Sequence, residues 1–189
     1  MKRAINLLLL ITLPLFSAIH AENVTVDQKQ SKIEVTGTST LHDWELSTSA
    51  INGTSSIAKN GNGQIEISNT KITIKSTDLK SGNSGLDKKA YEALMTDKHA
   101  NITFVQTAKV EVAEKNGEFT AKVSGNLVIA GKSKPATITI KGQALQNSYK
   151  ISGNVPLKMT EFGIEPPKAM MGTIKSGDDI VVKFNTYLK

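Results

Sequence analysis

Residues 118–129 read Glu-Phe-Thr-Ala-Lys-Val-Ser-Gly-Asn-Leu-Val-Ile. Phe119, Ala121, Val123, Gly125, Leu127 and Ile129 share one face of an extended chain. Glu118, Thr120, Lys122, Ser124 and Asn126 share the other, and Val128 breaks the pattern. Successive side chains of a strand point to opposite faces, so this period of two predicts a strand with one dry and one wet side. The pattern continues in both directions. In 136–144 the apolar set is Ala136, Ile138, Ile140 and Ala144; in 149–157 it is Tyr149, Ile151, Val155 and Leu157. Three consecutive antiparallel strands are predicted over 118–157, with odd residues of the first and third and even residues of the second facing inward.

Upstream, 101–113 places Ile102, Phe104, Ala108, Val110 and Val112 on one face, which predicts one strand. Shorter strands are expected at 23–28, 32–38, 44–53, 63–68, 71–78 and 179–188. The strongest hairpin marks between them are Asn60-Gly61 and Asn116-Gly117. Gly85 to Met95 departs from the rhythm. Leu86, Ala90, Tyr91, Leu94 and Met95 have helical spacing without proline, so one short helix is expected near 85–95. The stretch 159–176, with Pro166-Pro167 and Met170-Met171, is too long for a hairpin loop and is expected to fold back over the sheet. The fold class is therefore all-β: an extended antiparallel sheet of about eight strands. Periodicity leaves open whether it forms a sandwich or a barrel, and whether its apolar side is packed solid.

The chain has 189 residues, 39% hydrophobic and 21% charged, and no cysteine. That excludes a disulfide scaffold, an iron–sulfur protein and a thiolate zinc site. Lys2 and Arg3 precede an apolar run from Ala4 to Phe16, and Ser17-Ala18-Ile19-His20-Ala21 offers a cleavage site after Ala21. This is the layout of a secretory signal peptide over 1–21, leaving 22–189 as a single domain, periplasmic or secreted. The run is shorter than the roughly 20 residues that span a bilayer. The only arginine, Arg3, leaves with the leader, and the remaining lysines are scattered. A nucleic-acid partner would call for clustered charge and bidentate arginines, so none is expected.

The domain retains two histidines, His42 and His99. Neither sits in a metal-binding spacing, and no nucleophile elbow or phosphate loop is present. No catalytic residue, metal or cofactor is expected, and both histidines are read as hydrogen-bonding at a loop or helix end.

Several phrases carry more than pattern. They are Gly37-Thr-Ser-Thr-Leu-His-Asp-Trp44, Leu79-Lys-Ser-Gly82, Leu86-Asp-Lys-Lys-Ala-Tyr91, His99-Ala-Asn-Ile-Thr-Phe104 and Gly125-Asn-Leu-Val-Ile-Ala-Gly131. Met159-Thr-Glu-Phe-Gly163 and Pro166-Pro-Lys-Ala-Met-Met-Gly172 complete the set. Their order and spacing resemble the YceI-like family of exported lipid-binding proteins. The resemblance implies a lipocalin-like barrel with a helix at one side, holding a long apolar molecule such as a polyisoprenoid, quinone tail or fatty-acid derivative. The ligand-binding residues expected on that basis are Phe104, Leu127, Ile129, Ile138, Ile140 and Phe184 in the lumen. Leu41, Trp44, Phe162, Met170 and Met171 are expected around its mouth. Trp44 can be a plug of the barrel end or a lid, and Lys168 can meet a head group or water. The partner is then an isoprenoid or other long-chain lipid, with transient contact to a membrane or envelope protein. A barrel filled by its own side chains, acting as an interaction module, is the alternative.

Overall fold

The computed structural model describes residues 21–60 and 62–189. The leader reading for 1–21 lies outside the described residues, apart from Ala21. Twelve strands form one antiparallel sheet: β1 (Ala21–Thr25), β2 (Lys32–Ser39), β3 (Trp44–Thr48), β4 (Ile51–Lys59), β5 (Gln64–Lys75), β6 (Asn101–Gln106), β7 (Val110–Ala113), β8 (Glu118–Ile129), β9 (Lys132–Ala144), β10 (Tyr149–Lys158), β11 (Lys168–Ala169) and β12 (Ile174–Leu188). A single α-helix among the described residues, α1 (Ser84–Leu94), lies between β5 and β6.

The strands are ordered β1-β4-β5-β6-β8-β9-β10-β12-β2-β3, with β7 beside β5 and β11 beside β12. The sheet curls so far that β1 meets the end of β12. Thr25 N donates to Lys189 O (2.8 Å), Lys189 N donates to Thr25 O (2.9 Å), and Val26 bridges Leu188. The expected all-β, barrel-like sheet with one helix is therefore the observed one. A curled sheet hides strand edges that would otherwise template aggregation.

The ten predicted segments become twelve strands, more than the eight or so expected, for local reasons, with β11 added after Pro167. The predicted strand 101–113 is two strands, β6 and β7, and Ala108 is exposed in the break between them. Conversely, 63–68 and 71–78 are one continuous strand, β5. It bends at Asn69, which adopts φ 55°. The Gln106 side chain fills the bend, its Nε2 donating to Ile67 O (2.9 Å) and its Oε1 accepting from Thr70 N (3.1 Å). An amide side chain replaces the ladder bonds that the bend removes. The predicted strand 44–53 is likewise two, β3 and β4.

The 118–157 meander has the predicted register. Phe119, Ala121, Val123, Leu127 and Ile129 are buried, as are Ile140 and Ile151, while Ile138 is half-buried. Ala130 (φ 48°) and Gly131 (φ 76°) join β8 to β9, and Asn116 (φ 54°) and Gly117 (φ 83°) join β7 to β8. Paired positive φ values at the two central residues define the type I′ hairpin turn, whose twist matches that of the strands.

Candidate functional site: an apolar chamber behind the helix

The inner faces of the sheet enclose a cavity of about 270 Å³. Its wall comes from strands distant in sequence: Ile33 and Val35 of β2, Ile72 and Ile74 of β5, Leu127 and Ile129 of β8, Ile138 and Ile140 of β9, and Ile180 and Val182 of β12. The polar wall residues are the hydroxyl-bearing Thr54, Ser55, Thr70, Thr103, Ser176 and Thr186, together with Lys89 of the helix. Ser55 and Thr70 bond each other (2.9 Å), and Thr186 Oγ1 donates to Ile151 O (3.2 Å), so both are satisfied within the wall.

Four aromatic rings pack over glycines of a neighbouring strand. Trp44 covers its register partner Gly37, Phe119 covers Gly142, and Phe184 covers Gly153; Phe104 covers Gly125 diagonally. A Cβ at any of these glycines would come within 2.5 Å of a ring carbon. Real Cβ atoms do not approach so closely, so each glycine leaves the recess that its ring occupies.

Helix α1 closes one side. Its apolar stripe of Leu86, Ala90, Ala93 and Leu94 faces the chamber, yet no residue of the helix is fully buried. Its ends and middle are tethered. Asn83 caps the N-terminus by accepting from Gly85 N (2.9 Å) and Leu86 N (3.1 Å). Asp87 Oδ1 accepts from Ser81 N and Ser81 Oγ, both at 2.7 Å, and these bonds hold its carboxyl below the usual range. The Tyr91 hydroxyl reaches Thr77 O (2.9 Å) and Leu79 O (3.0 Å), with Lys80 Nζ 4.9 Å from the ring centroid.

Of the residues expected at the site, Trp44, Phe104, Leu127, Ile129, Ile138, Ile140, Phe162 and Phe184 line the chamber. Trp44 is half-buried, and its Nε1 donates to Thr38 O (3.0 Å), which fixes the ring as part of the wall. Leu41, Met170 and Met171 do not reach the lining. They are exposed at 66%, 74% and 108%. Met170 (φ 49°) and Met171 (φ 54°) take left-handed backbone, which turns that segment away from the lumen, and its rim residues are instead Pro167 and Ser176. The half of the wall made by β2, β4, β5 and α1 was not among the expected residues. Those strands alternate less cleanly: Asn52, Thr54, Ser56 and Ala58 of β4 lie opposite Gly53, Ser55 and Ile57, and β5 bends at Asn69.

Neither histidine reaches the chamber lining. His42 Nδ1 lies 2.7 Å from Asp43 O within its own exposed turn. His99 packs over the β8–β9 turn, where a Cβ on Gly131 would fall 2.3 Å from its Cε1.

A curled antiparallel sheet around an apolar chamber, with one helix across its side, defines a barrel-like all-β fold. The chain belongs to the YceI-like domain family, whose sequence profile matches residues 24–188. No curated protein matches it. Similar solved structures include Burkholderia cenocepacia BcnA, at 16% identity and TM-score 0.66, covering 86% of this chain and 98% of that one. A polyisoprenoid binding domain from Saccharophagus degradans, implicated in plant cell wall breakdown, is 11% identical with TM-score 0.63, covering 88% and 97%. The Campylobacter jejuni YCEI protein is 18% identical with TM-score 0.54, covering 70% and 78%. At these identities the likeness is one of fold.

Proposed function

We propose that this protein is an exported binding protein that holds one long apolar chain, isoprenoid or alkyl, in its chamber for carriage or sequestration. The observation that carries this reading is the chamber itself: about 270 Å³ walled mainly by aliphatic and aromatic side chains, with a few hydroxyls and Lys89 as its polar groups. An apolar cavity of about 150 Å³ stays dry and accepts benzene. Scaled by volume, this chamber takes on the order of ten carbons, and a longer chain continues through the mouth. Each methylene moved out of water contributes about 0.8 kcal/mol, so a ten-carbon segment supplies roughly 8 kcal/mol before ordering costs. The Saccharophagus relative, described as a polyisoprenoid binding domain, supports the same class of guest.

Export rests on the charged, apolar and small-residue segments of 1–21. N-terminal sequencing of the protein from the periplasmic or secreted fraction is expected to begin near Glu22; an intact Met1 on membrane-bound material would contradict export with cleavage. Lipid extraction and native mass spectrometry of the same material test the binding reading. A stoichiometric apolar guest is expected, and repeated recovery of empty protein would favour a barrel that acts through its outer surface.

A further inference from the structure

A second cavity, of about 280 Å³, opens where the chamber ends. One side is α1, contributing Lys89, Glu92 and Ala93. The other is the segment before β11, contributing Glu165, Pro166, Pro167 and Lys168. Lys89, Ala93 and Pro167 line both cavities, so the two are contiguous. The change in character is abrupt: aliphatic wall on one side of these residues, four charged side chains on the other.

The charges are organised in a particular way. Lys89 Nζ meets Glu92 Oε2 at 2.8 Å, and Lys168 Nζ meets Glu165 Oε1 at 2.6 Å. Both pairs are three residues apart, so each is internal to its own side of the cleft. Among the described residues, no hydrogen bond or ion pair joins the two sides. Two ammonium groups and two carboxylates thus border the opening with no net charge, each retaining unused donors or acceptors.

We propose that this cleft seats the head of the lipid whose tail fills the chamber, and that it selects an uncharged head that both donates and accepts hydrogen bonds over a phosphate. The inference rests on the lipid-binding reading above. An amphiphile inserted tail-first places its polar end at the junction lined by Lys89, Ala93 and Pro167. A hydroxyl-type head there accepts from a lysine and donates to a carboxylate on either side. The four charged side chains are 46–80% exposed, so a phosphate docking beside them sheds only part of its water. It gains no net attraction in return, because each lysine is already neutralised by its own carboxylate and the carboxylates repel the incoming anion.

The test compares decane, decanol and decyl phosphate as probes, below their aggregation thresholds, by displacement of a fluorescent apolar probe from the mature protein. Wild type is expected to bind decanol at least about five-fold more tightly than decyl phosphate. Glu92→Gln with Glu165→Gln leaves both lysines unneutralised and is expected to move that ratio about ten-fold toward the phosphate. Lys89→Gln with Lys168→Gln is expected to move it further from the phosphate. A wild-type preference for decyl phosphate, or an unchanged ratio in the Glu92→Gln/Glu165→Gln protein, would overturn the assignment of the head while leaving the chamber intact. Decane reads the chamber alone: failure of all three probes to bind would overturn the lipid-binding reading itself, and the head-group proposal with it.

Discussion

The ring of Phe184 lies on Gly153, its register partner across β10 and β12; a Cβ on that glycine would sit 2.5 Å from the ring Cζ and 2.8 Å from Thr139 O. The second contact is backbone and has little room to yield. Gly153→Ala is therefore expected to push Phe184 off the wall toward the lumen and to lower stability by roughly 1–3 kcal/mol. A double-mutant cycle with Phe184→Leu, read by denaturant melts, should show a coupling energy of opposite sign to the single losses. Additive losses would mean that the ring and the glycine do not constrain each other.

The closure of the sheet is sensitive to acid. Asp27, buried beside the β1–β12 junction, accepts from Lys189 Nζ (2.8 Å), Gln30 Nε2 (2.9 Å) and Lys29 N (3.1 Å). The Lys189 bond above all lowers its pKa from 3.8 to about 2. A carboxyl with a depressed folded-state pKa stabilises the fold fully above its unfolded value and loses that contribution as pH falls through the folded one. The contribution from Asp27 is thus present above about pH 4 and is lost between pH 4 and pH 2. Asp27→Asn should flatten the pH dependence of the melting temperature over that window. An unchanged slope would place the acid sensitivity elsewhere.

Helix α1 owes its start to one side chain. Asn83 satisfies two backbone N–H groups that a helix otherwise leaves open. Asn83→Ala is expected to cost about 1 kcal/mol. Because the helix walls the chamber without burying any residue completely, its fraying should also speed exchange of a bound apolar probe. Faster dissociation with little change in the sheet's melting transition is the expected pattern; unaltered dissociation would show that the guest does not pass beside α1.

The exposed methionines should be dispensable for the fold. Met171 carries positive φ and is fully exposed. A non-glycine residue in that conformation costs roughly 1–2 kcal/mol, while glycine frees the unfolded chain by a smaller amount. Met171→Gly is expected to raise stability by roughly 0.5–1 kcal/mol. A fall in melting temperature would reveal a packing role for the side chain.

The sheet was legible wherever strands are long and one side is wet. In β8 every inward residue was identified, because Thr120, Lys122 and Asn126 contrast sharply with Ala121, Val123 and Leu127. The bend at Asn69 was legible as an interruption but not as a bend. The side chain of Gln106, 37 residues further along, and Ser55 of the neighbouring strand β4 bridge β5 there. The same limit applies to the chamber. Phe104 and Phe184 could be assigned to an interior face, but that they pack over Gly125 and Gly153 depends on the pairing of strands far apart in sequence. Met170 and Met171 were expected at the mouth on the strength of the family resemblance. The left-handed backbone that turns them outward has no signature in a Met-Met pair, since such conformations ordinarily select glycine or asparagine.

The central claim is that the chamber is occupied by a long apolar guest, and it is tested most directly by native mass spectrometry of wild type beside Ile140→Trp. Ile140 is buried on β9 and lines the chamber, so an indole there would occupy the space of the guest. Wild type is expected to carry one apolar molecule per chain, and Ile140→Trp to fold and lose it, since a cavity absorbs added volume that a packed core cannot. Severe unfolding of Ile140→Trp, with no guest ever recovered from wild type, would contradict the account and identify the interior as a filled core.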